Sequence, residues 1–323
     1  MKKILVLFFV LFSSLAEAKI QELPNLAGLN FSQIGPDTLV VFDIDNTLIR
    51  QNHMIGTHQW GDYISERAVR SGIAADEAKQ IQYRAFAEVQ PYANVVPVEE
   101  GIKSILSSLS QRNIKHFALT ARAAQLKEIT KTQIKILNHS FAESFPAQKD
   151  QKVLQEYLDD GIIFSGSTPK GELLKKIIEN STTEITHIIF IDDKLYNLES
   201  VEKSFAESNI ILESYRYGAA DVVVNSFNPQ VADIEYSIFK DQRQIISDEE
   251  AAQLVGQPRK IVDTSFDLYL SNQGPQVQPN GGCEEIKTLF FRCQYLYDNE
   301  WPGSLEYEVK ADAFTQGYFF GKW

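Results

Sequence analysis

Five short apolar runs limit this chain more than any other feature: "DTLVVFDID" from Asp37, "IKHFALT" from Ile114, "GIIF" from Gly161, "THIIFID" from Thr186 and "NIILESY" from Asn209. They are rich in β-branched and aromatic residues and lack the polar alternation of a strand with one wet face. Each therefore predicts a strand buried on both sides. Stretches with helical spacing separate them, and that alternation predicts an α/β fold, a Rossmann-like parallel sheet with helices on both faces. In such sheets ligands gather at the carboxyl ends of the strands.

The first and second runs are too far apart for a single loop. Trp60, Tyr63, Ile64 and Ala68 follow helical spacing, Ser71-Gly72 breaks it, and Ala78, Ile81, Ala85 and Val89 resume it as far as Pro91. Residues 51–96 therefore predict a small helical cap inserted after the first strand, and a helix over roughly Val98 to Gln111 follows it.

Both ends of the chain have a different character. Residues 1–18 carry two lysines, an apolar run from Ile4 to Phe12 and the small-x-small signal Ala16-Glu17-Ala18, which predicts a signal peptide with the mature chain starting near Lys19. That run is too short to cross roughly 30 Å of hydrocarbon as a helix, and no later run is long and apolar enough to span. The expectation is an exported protein, periplasmic or secreted, with no stable membrane insertion once the signal is cleaved. A core over 19–261 is expected to give way to a C-terminal extension over 262–323, which opens on the polar linker "SNQGPQVQPNGG". The extension is dense in aromatics, as disordered tails are not. Within it "SLEYEVKA" alternates like a half-exposed strand, and Cys283 and Cys293, a close pair, suit either a disulfide or two free buried thiols, with export favouring the disulfide.

Polar residues fall where the sheet rule places a site. Asp43 and Asp45 end the first run, Thr120 ends the second, Lys170 opens a helix after "IIFSGSTP", and Asp192 and Asp193 end "HIIFI". Singly, each fits a helix cap or a solvated first turn. Together they suit phosphoryl transfer. A phosphate ester is anionic, so a carboxylate nucleophile approaches it only with a cation between them. Oxygens of Asp43, Asp192 and Asp193 with a backbone carbonyl near Asp45 suit Mg²⁺, and Lys170 and a hydroxyl suit the phosphate oxygens. A net charge of -12 argues against a nucleic-acid partner and for a small phosphorylated substrate held by local chemistry.

In order along the chain, "DIDNT", "LTAR", the Lys of "TPKGELL" and "IDD" resemble the four motifs of the haloacid dehalogenase superfamily, over about residues 38–240. "KGELLKKI", "IIFIDDKLYNLESVE" and "YRYGAAD" look most like an exported, phosphatase-like branch of it found in intracellular Gram-negative bacteria. The resemblance implies Asp43 as nucleophile and Asp45 as general acid and base. Thr120 with the Ala121 amide would hold the phosphate, and Lys170 would pair with both nucleophile and phosphate. Asp193, with Asp192, would complete the Mg²⁺ site. By the same resemblance a carboxylate at position 45 fits a phosphatase or a phosphomutase and not a dehalogenase, and export favours hydrolysis. The fourth motif departs from the usual pattern, with Asn197 in its late position, and leaves open which of Asp192 and Asp193 touches the metal; Asp193 is the expectation.

Several residues fit two roles. Arg122 suits a substrate anion or an acidic neighbour equally. In the cap, His53, His58, Trp60 and Arg67 suit a leaving group, although Trp60 as cap core and surface histidines is the simpler reading. His116 and His187, beside strands, are expected to be structural. The leading function is Mg²⁺-dependent hydrolysis of a small phosphomonoester. The alternatives are a secreted interaction protein or effector that meets a protein partner through its C-terminal extension and cap, and a phosphotransferase with an acceptor other than water.

Overall fold

The computed structural model describes residues 20–255, together with the backbone of four strands at 283–287, 290–296, 304–310 and 319–322. The expected signal peptide at 1–18, the linker and the side chains of Cys283 and Cys293 lie outside the described residues.

The five apolar runs supply five strands of a seven-stranded sheet, and the sequence did not reveal the two at its edges, Gln21–Leu23 and Leu158–Asp159. Its strands are β1 (Gln21–Leu23), β2 (Thr38–Phe42), β5 (Lys115–Thr120), β6 (Leu158–Asp159), β7 (Ile162–Phe164), β8 (His187–Asp192) and β9 (Ile211–Tyr217). The spatial order is β1-β9-β8-β2-β5-β7-β6, and every pairing is parallel except β6 with β7. β2 is therefore central, between β8 and β5, and fully buried along its length.

Successive side chains of β2 point to opposite faces, and each face meets its own helices. Val40 and Phe42 join the cluster that contains Leu106 and Leu109 of α3 (Ile102–Gln111) and Ile134 of α4 (Lys127–Ile134). Leu39 and Val41 join Leu173, Leu174 and Ile177 of α5 (Lys170–Asn180) and Leu198 and Val201 of α6 (Leu195–Phe205). This is a sheet with helices on both faces, and the uninterrupted apolar runs are its cause. Helix α3 begins four residues later than its apolar pattern, which starts at Val98.

The insertion after β2 holds α1 (His58–Arg70) and α2 (Ala75–Val89), joined at Gly72, whose φ of 90° is a left-handed geometry that glycine adopts without a Cβ penalty. Thr57 caps α1 by accepting from the Trp60 amide at 3.1 Å. Periodicity did not reveal the stem beneath these helices, a two-stranded antiparallel ribbon of β3 (Ile49–Gln51) and β4 (Val95–Pro97). Three residues per strand are too few to show a period.

The insertion does not stand alone. Trp60, Ile64, Ala85 and Val89 share one buried cluster with Ala232, Tyr236 and Phe239 of α8 (Pro229–Gln242). Trp60 meets Tyr236 edge to face with ring centroids 4.9 Å apart. Polar ties surround that seam: Arg67 to Asp233 at 3.4 Å, Lys240 to Glu88 at 3.1 Å, and the Ile55 amide to Glu235 at 3.0 Å. α7 (Asp221–Asn225) precedes α8, and α9 (Asp248–Leu254), closed by a Ser247–Glu250 capping box, follows it. Among the described residues no helix is long and apolar enough to cross a membrane.

In the C-terminal extension β10 (Cys283–Lys287), β11 (Phe290–Leu296), β12 (Ser304–Lys310) and β13 (Phe319–Lys322) form an antiparallel sheet in sequence order. β12 carries the alternating "SLEYEVK", and Cys283 stands opposite Cys293 in the register.

Candidate active site

At its carboxyl end β2 runs straight into the first acidic residue. The Asp43 amide donates to the Ile191 carbonyl at 2.9 Å, so the ladder with β8 extends one residue beyond the strand and sets Asp43 beside the end of β8. A tight loop follows, in which the amides of Thr47, Leu48 and Ile49 all reach the Ile44 carbonyl. Asn46 takes a left-handed φ of 60° there, a conformation that asparagine tolerates better than most residues. Its side-chain amide donates to Asp193 Oδ2 at 3.2 Å.

Asp43, Asp192 and Asp193 each offer a carboxylate oxygen, and the three oxygens lie within 4.8 Å of one another. Lys170 Nζ stands against two of these groups, 2.5 Å from Asp43 Oδ1 and 2.6 Å from Asp192 Oδ2. Lys170 is the first residue of α5, where the helix dipole disfavours a cation, so its placement depends on those carboxylates. Gly171 holds that end of the helix in place. A Cβ there would come 2.1 Å from the Ser200 carbonyl oxygen, so only glycine lets α5 approach α6 this closely.

The two neighbouring aspartates have different occupations. Asp192 is sealed from solvent and accepts from Lys170, the Lys194 amide at 2.8 Å, and Asn197 Nδ2 at 3.0 and 3.1 Å on its two oxygens. Both of its oxygens are taken. Asp193 is committed only through Oδ2, to Asn46 and, at 3.5 Å, to Lys194. The oxygens that could be offered to a hard cation are thus those of Asp43 and Asp193, while Asp192 is bonded to Lys170.

Burial dominates the charges. It pushes Asp43 well above the usual carboxylate range; the Lys170 charge opposes the shift, and Asp192, Asp193 and Asp45 reinforce it. Asp193 is pushed up to about 6 by burial, against the pull of Lys194. Lys170 is raised, because the two carboxylates outweigh its own desolvation. The raised values of Asp43 and Asp193 show that one buried ammonium does not offset the crowding of three acids, a deficit that a bound cation would relieve.

Asp45 stands apart from the acidic trio. Its carboxylate is gripped by Arg122, with Nε on Oδ2 and Nη2 on Oδ1, both at 2.8 Å. Burial raises this group, but the Arg122 charge and hydrogen bonds outweigh it and hold Asp45 below the usual range. Arg122 is itself buried and donates through Nη1 to Thr130 and Gln133. Its partner is therefore a site carboxylate rather than a helix neighbour. Thr120 is buried at the end of β5, where its hydroxyl oxygen accepts from the Arg122 amide at 3.1 Å, and Ala121 is exposed on the loop between them.

Other polar residues divide as follows. His53 is buried and joins the two segments that enter and leave the insertion, through the Ile55 carbonyl at 2.7 Å and the Asn94 amide at 3.1 Å. His58 pairs with Asp62 at 3.2 Å on α1, Arg67 is tied to α8, and Trp60 is buried in the core of the insertion. His116 and His187 make structural bonds, to the Ile114 carbonyl and to Glu213. Sequence reasoning missed Asn46, Gln133 and Gln90. Only Asn46 had a legible signal, an asparagine directly after a strand end, where left-handed turns occur.

A family model described as "Protein of unknown function (DUF2608)" matches residues 20–252. No haloacid dehalogenase family model matches, so the superfamily resemblance of the motifs finds no support there. A Chlamydia pneumoniae protein named "Putative outer membrane protein" is 23% identical over 216 residues, covering 67% of this chain and 81% of the relative. Its namesake in Chlamydia trachomatis serovar D is 22% identical over 217 residues, with the same two shares of 67% and 81%.

Proposed function

The chain belongs to the DUF2608 family, and from that premise we propose that it is an exported, Mg²⁺-dependent phosphatase of haloacid dehalogenase type acting on a small phosphomonoester. One observation carries the reading: Asp43, Asp192 and Asp193 are buried together around Lys170 at the carboxyl ends of β2 and β8. Such a group is expensive to bury, and a structural role has no need of the surplus carboxylates.

In this reading Asp43 attacks phosphorus with one carboxylate oxygen while the ester bond to the leaving alcohol breaks, giving an aspartyl-phosphate that water then hydrolyses. Asp43 and Asp193 would hold Mg²⁺, which supplies charge neutralisation between carboxylate and phosphate. Lys170 stays bonded to Asp43 and faces the transferred oxygens as their charge shifts. The Thr120 hydroxyl, whose oxygen already accepts from Arg122, has its proton to donate to phosphate. Asp45, kept ionised by Arg122, is suited to take a proton from the attacking water, and must gain one before it serves a leaving alcohol. Export is supported by the character of residues 1–18 and by the names of the relatives.

The test is hydrolysis of an aryl phosphate by the mature chain with Mg²⁺ and with chelator, beside Asp43→Asn. Metal-dependent turnover that the variant lacks is the expected result. A folded, Mg²⁺-binding protein with no turnover across pH would favour the interaction-protein reading.

A further inference from the structure

Asp45 is connected to the stem of the helical insertion by a chain of buried side chains. Arg122, which grips Asp45, donates through Nη1 to Gln133 Oε1 at 2.6 Å and to Thr130 Oγ1 at 3.0 Å. Gln133 Nε2 donates to the backbone oxygen of Gln90 at 3.1 Å and to its Oε1 at 3.0 Å. Gln90 Nε2 donates in turn to the Gly56 carbonyl at 2.7 Å. Gly56 lies in the segment that enters α1, and Gln90 in the segment that leaves α2. Phe86 of α2 sits over the guanidinium, with its ring centroid 5.9 Å from Arg122 Cζ.

This chain has little slack. Arg122, Thr130, Gln133 and Gln90 are all buried, and a buried donor that loses its acceptor there has no water to replace it. The guanidinium is planar, so the Nη1 contacts that fix its plane also fix the plane in which it presents Nε and Nη2 to Asp45. Thr130 and Gln133 are on α4, packed on the sheet, whereas Gln90 belongs to the insertion. A shift of the insertion that carries Gln90 must either break the bonds to Gln133 or move Gln133 and Arg122 with it.

We infer that Arg122 is a positioning residue for Asp45, and that Gln133 and Gln90 make this position depend on the seat of the helical insertion. The inference rests on the reading of Asp45 as the proton-transfer group. It gives the insertion an influence on the reaction through side chains that do not touch substrate.

Gln133→Glu separates the two halves of the claim, because it still accepts from Arg122 but cannot donate to Gln90. Gln133→Leu removes both contacts, and Thr130→Val removes an Arg122 contact while the Gln133–Gln90 link stays. Gln133→Glu and Gln133→Leu are each expected to lower kcat on an aryl phosphate by about 10- to 100-fold, with KM changed less than about twofold. Both should speed amide hydrogen exchange over residues 52–94, and Thr130→Val should leave that exchange as in the unaltered chain. Wild-type kcat in Gln133→Glu, or unchanged exchange in both Gln133 variants, overturns the inference. If Gln133→Leu does not fold, Gln133→Glu decides. If the unaltered chain has no turnover, the phosphatase reading fails by itself and the exchange experiment still shows whether the link exists.

Discussion

Lys170 Nζ lies 2.6 Å from Asp192 Oδ2, and both side chains are almost wholly closed to solvent. With Asp43 at 2.5 Å on its other side, the ammonium is shared by two buried acids. Replacing it with an isosteric apolar group strands both. Lys170→Met should destabilise the protein by about 3–5 kcal/mol and abolish hydrolysis. Urea unfolding measures the first effect; a loss below about 1 kcal/mol would mean that neither acid depends on the ammonium for its place in the folded chain.

Asp193 retains an oxygen that no described side chain engages, whereas both oxygens of Asp192 are occupied. Mg²⁺ should therefore raise the melting temperature, by the equivalent of about 2.7 kcal/mol at a hundredfold excess over Kd. Asp193→Asn should weaken that response by at least about tenfold in Mg²⁺ concentration. A thermal-shift titration reads it, and an unaltered midpoint in the variant would remove Asp193 from the metal shell.

Glu235 is sealed beneath the insertion, where its Oε2 accepts from the Ile55 amide at 3.0 Å. Burial, with the Asp248 contact, pushes its pKa from 4.5 up to about 9, against the pull of the Ile55 amide. The folded state thus holds a proton that the unfolded chain releases. The stabilisation is complete below about pH 4.5 and is lost as pH rises toward about 9. Glu235→Gln supplies a permanent neutral donor, so it should flatten this decline and stabilise the protein by about 1–3 kcal/mol at pH 8. Chemical unfolding at several pH values is the measurement, and an unchanged slope would count against a proton held on Glu235.

Trp60 fills the seam between the insertion and α8, 1% exposed and edge-on to Tyr236. Trp60→Ala should cost about 3–5 kcal/mol. Amide exchange should rise in α1, α2 and α8 together, because they share one core. Faster exchange in α1 and α2 with α8 unaffected would show that the insertion moves independently of α8.

The β-branched runs around Val40, Phe117 and Ile189 had one economical outcome, a buried parallel sheet, since no other arrangement satisfies such strands on both faces. The helical spacing of Trp60, Ile64 and Ala78 likewise announced an insertion with its own apolar face. Nothing local announced what would cover that face. The partner is α8, some 170 residues further along, and its docking on Trp60 follows only when the sheet has brought the two together.

The same division holds at the site. Asp43, Thr120, Lys170 and Asp192 could be read from the sequence because each stands at a strand end or a helix start, positions that periodicity locates. Which carboxylate lies beside which cation could not, because hydrogen bonds between residues 77 apart, as for Asp45 and Arg122, leave no mark on either neighbourhood. A one-dimensional pattern records what each segment needs to bury; partner choice among buried polar groups depends on angstrom-scale distances that exist only after the segments have packed.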